Sequence, residues 1–215
     1  MTRSLKIAGV LALALCASAL PAQQGKPDPG TKPPPPLAPM ASQHVLVLPV
    51  QLLRADSGAW VNGHDWEKFR HELDDSVGSI LAARGLGRAW KYPSDVARIA
   101  KRNPDYVNDP YSMGAQAMRA VRYKIGDPLP DPFVSNLRTL IALGDARYAL
   151  VPIEVWFARK GAEQIAVMKL GLADGQAGTI VWLGEVGTDP ETGPTLPPDL
   201  INTLATRIAN LVVAP

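Results

Sequence analysis

Tyr148-Ala149-Leu150-Val151-Pro152-Ile153-Glu154-Val155-Trp156-Phe157-Ala158 is followed by a turn at Lys160-Gly161-Ala162 and by the run Gln164 to Ala173. A second turn at Asp174-Gly175-Gln176-Ala177-Gly178 leads into Thr179 to Val186. Three runs rich in β-branched and aromatic residues, separated by short glycine-bearing turns, predict an antiparallel meander. In the first run Val151, Ile153, Val155 and Phe157 recur with the period of two that marks a strand.

Downstream, the chain passes Asp189-Pro190-Glu191-Thr192-Gly193-Pro194. Leu200, Ile201, Leu204, Ile208, Leu211 and Val212 then fall on one helical face, with Pro197 and Pro198 suited to the helix start. Upstream, Phe133 to Leu143 reads as a helix closed by Gly144 and preceded by the stiff loop Asp127 to Pro132. Before it come a turn-rich stretch from Asn103 to Pro110 and a short helix expected from Tyr111 to Arg122. Ser94 and Asp95 can cap a helix reaching Lys101, and Arg88 to Tyr92 reads as a short strand. From Asp65 to Arg84, Trp66, Phe69, Leu73, Val77, Ile80 and Leu81 recur at helical spacing, and Gly85 suits a left-handed stop. Val45-Leu46-Val47-Leu48-Pro49-Val50 is apolar without alternation, the pattern of a strand covered on both faces. The order predicts a single α/β (α+β) domain over residues 44–215, with a mixed sheet that ends in the three-strand meander. Helices pack on that sheet, and an amphipathic helix closes the chain.

The first 22 residues read as an export signal. Arg3 and Lys6 precede an apolar stretch from Ile7 to Leu20, followed by small residues near Ala19 and Ala22. That stretch is shorter than the ~20 residues of a permanent span, and an uncleaved anchor is the alternative. Leu15 precedes the only cysteine, Cys16, where a lipoprotein signal needs a small residue, so lipidation is not expected. One cysteine also excludes a disulfide framework and a CxxC zinc site. Residues 23–43 carry seven prolines from Pro27 to Pro39 and hardly a bulky side chain, the composition of a polyproline-type disordered linker. Such a linker is a passive tether or a docking strip for a proline-binding partner. The composition, 47% hydrophobic and 20% charged over 215 residues, excludes collagen-like, disordered and membrane-bundle classes. Without Arg3 and Lys6 the 22 basic residues become 20, equal to the 20 acidic ones. That balance, together with export, argues against nucleic-acid binding.

Three local strings carry a resemblance. Val45-Leu46-Val47-Leu48-Pro49-Val50 is similar to the opening strand of the bacterial envelope family that contains CsgG, LpoB and the TolB amino-terminal domain. Leu143-Gly144-Asp145-Ala146-Arg147-Tyr148-Ala149-Leu150-Val151 resembles that family's helix end and entry into the next strand. Leu172-Ala173-Asp174-Gly175-Gln176-Ala177-Gly178-Thr179-Ile180-Val181-Trp182 resembles its hairpin. The resemblance spans residues 44–215, with about 93–132 unmatched. It implies a non-enzymatic protein that works by binding other envelope proteins or by self-association.

Catalytic signatures are absent from the sequence. Gly85-Leu86-Gly87-Arg88-Ala89-Trp90 breaks the dinucleotide pattern at Trp90, and neither Ser76 nor Ser112 sits in a GxSxG elbow. No catalytic residue and no cofactor is expected. His71-Glu72-Leu73-Asp74-Asp75 opens like a zincin helix but has Asp75 where the second histidine belongs. His64, Glu67, His71 and Asp75 remain as weak metal candidates against the plainer reading of a solvated helix face, which also covers Asp74. Tyr92, Tyr106, Tyr111 and Tyr123 fall in the unmatched stretch with Arg119 and Arg122, and tyrosine and arginine favour interaction hot spots. The partners this points to are an envelope protein, a second copy of the chain or a cell-wall polymer, with peripheral membrane contact as a further option. The alternative class is a small-ligand or metal-binding periplasmic domain.

Overall fold

A computed structural model describes residues 33–56, 65–120, 123–192 and 197–214, and its main compact unit begins at Pro34. The strands are β1 (Val45–Val47), β2 (Leu53–Ala55), β3 (Trp90–Lys91), β4 (Tyr148–Lys160), β5 (Glu163–Asp174), β6 (Thr179–Gly187) and β7 (Glu191–Thr192). The helices are α1 (Trp66–Leu81), α2 (Pro93–Arg102), α3 (Phe133–Leu143) and α4 (Pro197–Val212). The sheet runs β3-β1-β4-β5-β6, with β3, β1 and β4 parallel and the meander β4-β5-β6 antiparallel. This is the mixed single-domain sheet that the sequence predicts. Two short strands were not expected: β2 continues along the edge of β4 beyond β1, and β7 continues along β5 beyond β6.

Each face of the sheet has its own core. Val45 and Val47 enter the first core with α1, α4, Phe157 and Met168. Leu46 and Leu48 enter the second with α2, α3 and the segment that links those helices. Burial on both sides is the reason the β1 run is uniformly apolar. Asp65 caps α1 by accepting the Glu67 and Lys68 N–H groups at 3.0 and 3.1 Å. Phe69, Leu73, Val77 and Leu81 then point inward at every fourth residue. Gly85, at φ 90°, turns the chain out of the helix as its position predicts.

The resemblance strings turn out to touch one another. Arg147, from the second string, donates to Asp174 Oδ2 through Nε at 3.0 Å and Nη2 at 2.8 Å. Asp174, from the third, accepts the Gln176 and Ala177 N–H groups at Oδ1. Burial alone would lift the Asp174 carboxyl, but the Ala177 N–H, the Arg147 guanidinium and the Gln176 N–H hold it below the ordinary range.

Three expectations change. The linker does not run to Gln43: residues Ala38–Ser42 form a 3-10 turn, and Leu37 is only 3% exposed in the first core. Burying one leucine contributes about 2 kcal/mol, which orders only a residue or two. Hydrogen bonds from Leu37 N to Leu211 O (2.8 Å) and from Trp90 Nε1 to Met40 O (3.2 Å) supply the rest. The helix expected from Tyr111 to Arg122 does not form over its described residues, 111–120; only Ala115–Arg119 turns, as a 3-10 helix. Asp74 does not lie on a solvated face, since it is buried on α1 while Asp75 is exposed. Residues 1–32, with the signal and most of the linker, lie outside the described residues. Among the described residues no helix is long and apolar enough to cross a membrane.

Candidate functional site

The parallel strands place β1 between β3 and β4. The crossover to β3 runs through α1 on one face, and the return to β4 runs through α2 and α3 on the other. The carboxyl end of β1 is therefore a topological switch point, where open α/β sheets hold ligands. Here the protein's own side chains occupy it. Asp74, 4% exposed, accepts the Val50 N–H at Oδ1 (3.2 Å). Gln51 donates to Pro49 O (2.9 Å) and Pro110 O (2.7 Å) and accepts the Met113 N–H (3.1 Å). The Tyr111 hydroxyl meets His71 Nδ1 at 2.9 Å, and the Arg70 guanidinium lies over the Tyr111 ring at 5.6 Å. Burial pushes the Asp74 carboxyl up to about 7, against the lowering effects of the Val50 N–H, the Tyr111 hydroxyl and Arg70.

Lower on the same side, the helical cover ends and the sheet opens into a cleft of about 390 Å³. A bulge makes this surface. The β4 register shifts between Pro152 and Glu154, so Val151 and Ile153 enter the second core while Val155 and Phe157 enter the first. These four residues do not share a face, and the shift turns Glu154 and Trp156 toward the cleft. Glu154, Lys169 and Glu185 then stand directly opposite one another across three strands, with charges alternating. Glu154 is 8% exposed and carries a guanidinium on each oxygen: Arg54 Nε on Oε1, and Arg119 Nε on Oε2 at 2.9 Å. The Arg54 guanidinium also lies 5.5 Å from the Trp156 ring, whose Nε1 donates to Asp56 at 3.0 Å. Lys169 Nζ donates to Arg119 O at 3.0 Å, tying the end of the 3-10 turn to β5.

No protein-family model matches the chain, and no curated protein does. Solved structures do. The PelC dodecamer from Paraburkholderia phytofirmans is 14% identical, with 86% of this chain and 96% of that one covered and a TM-score of 0.41. The LpoB C-terminal domain from Salmonella enterica is 13% identical, covering 68% and 82%, at 0.38. Lipoprotein GNA1162 from Neisseria meningitidis is 16% identical, covering 77% and 93%, at 0.40. The chain is similar to these proteins in fold. LpoB is one of the proteins named in the sequence resemblance.

The residues singled out from the sequence scatter. His71 and Tyr111 come together, and Arg119 joins the cleft. Tyr106 stands alone at 76% exposure. Tyr92 lies against α1, its ring 3.3 Å from where a Cβ on Gly78 would sit, and Tyr123 packs on the second core. Glu67 and Asp75 are exposed on α1, while His64 and Arg122 lie outside the described residues. Four residues that matter here were missed: Gln51, Arg54, Glu154 and Lys169. A charged residue two positions after Pro152 in an otherwise apolar run was the available signal for Glu154.

Proposed function

We propose that this chain is an exported, non-enzymatic envelope protein that works by binding another envelope protein through the cleft around Glu154. The observation that carries this reading is the grouping of Arg54, Arg119 and Trp156, half-exposed on an open sheet face and held in place by one buried carboxylate. Arginine and tryptophan are the side chains most enriched at binding hot spots, and a fixed guanidinium loses little entropy on docking. Export rests on the basic and apolar pattern of residues 1–22. The filled switch point weighs against a small-ligand site there, and the metal alternative has His71 Nδ1 already engaged by Tyr111.

The test is site-specific photo-crosslinking in cells, with the photoreactive residue replacing Val167 in the cleft of the full chain. One discrete adduct with an envelope protein, lost in Arg54→Ala/Arg119→Ala, is the expected result; an adduct with a second copy of the chain would make the partner the protein itself. Adducts from position 106 with none from position 167 would move the docking face to the exposed Tyr106 and end the cleft reading.

A further inference from the structure

We propose that Asp74, Tyr111 and His71 form a proton-operated latch that holds the segment 107–119 and, through it, the position of Arg119 in the cleft. The Tyr111 hydroxyl has one proton and two neighbours that can take it: His71 Nδ1 at 2.9 Å and the Asp74 carboxyl beneath. Asp74 Oδ2 is buried without a hydrogen-bond partner, and so is Arg70 Nε. When Asp74 carries a proton, its buried Oδ2 bears no charge and the Tyr111 hydroxyl stays with His71 Nδ1. When that proton leaves to solvent, Oδ2 becomes a buried anion with no donor of its own. A charge then sits in a buried site facing one backbone N–H, which favours opening the segment to water.

The groups facing Asp74 come from three elements. Arg70, His71 and Asp75 lie on α1, the Val50 N–H lies at the end of β1, and Tyr111 lies on the segment. Asp109 accepts the Tyr111 N–H at 3.0 Å, and α4 brings Ile201 and Asn202 beside Asp75. Of these charges only Arg70 favours the ionised carboxyl, and burial outweighs it. The latch reaches the cleft through a short path. Gln51 fixes Pro110 and Met113, Met118 packs against Gly171, and Arg119 ends the segment on Glu154.

This regulates the docking site proposed above, but the latch itself is tested without a partner. Hydrogen exchange of the full chain is followed at about pH 6 and about pH 8 and corrected for intrinsic rates. The expected result is a loss of roughly fivefold or more in protection over 107–119 at the higher pH, with α3 unchanged. In Asp74→Asn the two protections should be equal. Protection that ignores pH in the natural chain, or that changes equally in Asp74→Asn, overturns the latch. Should Asp74→Asn fail to fold, carboxyl-carbon NMR of the natural chain replaces it. One aspartate should titrate near neutrality and move upward in Tyr111→Phe but not in Tyr106→Phe. An aspartate set that is fully titrated below about pH 6 overturns the proposal. A working latch with no adduct from position 167 would discard the docking site and leave the latch standing.

Discussion

Asp74 and Glu154 are two carboxyl groups withdrawn from water near the two ends of the segment 111–119, and the fold treats them differently. Glu154 faces a guanidinium on each oxygen and a lysine across the strand pair. Asp74 faces a tyrosine hydroxyl and one backbone N–H, with Arg70 stacked over the tyrosine ring. A buried carboxylate between matched cations is held in place by them, whereas one with neutral donors is poised to change charge. The first arrangement builds a fixed surface, and the second makes a movable joint.

The largest test of this contrast is pH. Burial pushes the folded Asp74 carboxyl up to about 7, well above the ordinary carboxylate range. Its stabilising contribution is therefore complete below about pH 4 and is lost as pH rises through 7, a difference of about 4 kcal/mol. Asp74→Asn should match the natural chain in urea stability near pH 4 and exceed it near pH 8. A pH-independent gap between the two would refute the assignment. At the other end, Arg54→Met/Arg119→Met leaves Glu154 buried without its cations and should cost about 3 kcal/mol. Adding Glu154→Met should recover most of that loss, as read by chemical denaturation. If the double variant is as stable as the natural chain, Glu154 is not held as described.

Between the two ends, Gln51→Leu strands Pro110 O and the Met113 N–H and should cost about 2 kcal/mol. It should also loosen 107–119 at every pH, which separates a missing tether from a titrating latch. The smallest effect belongs to Tyr106→Ala, within about 0.5 kcal/mol, because an exposed ring has little to lose. A larger change in thermal melting would mean that Tyr106 has a structural role in the fold.

How much was legible depended on how local the cause was. The meander and the helices were readable because each is written in a short repeat: period two, period 3.6, a capping Asp65, a stopping Gly85. The paired strings around Arg147 and Asp174 were readable as strings, although their contact was not. The cleft was hidden because one register shift beside Pro152 exchanges the faces of everything after it, and period-two reading assumes that no such shift occurs. The docking of Leu37 was hidden too, since a proline-rich composition says nothing about a groove formed by α4.

By itself the sequence determined the element order, the two-sided burial of β1 and the turns of the meander, because neighbouring residues settle those through backbone preference and periodic burial. Only the tertiary structure decided that Asp74 is buried, that Tyr111 meets His71 rather than Tyr106, and that Glu154 gathers Arg54 and Arg119. The last two of these join residues 35 to 100 positions apart. A carboxyl's charge state depends on what surrounds it in space, and chain neighbours do not specify that surrounding.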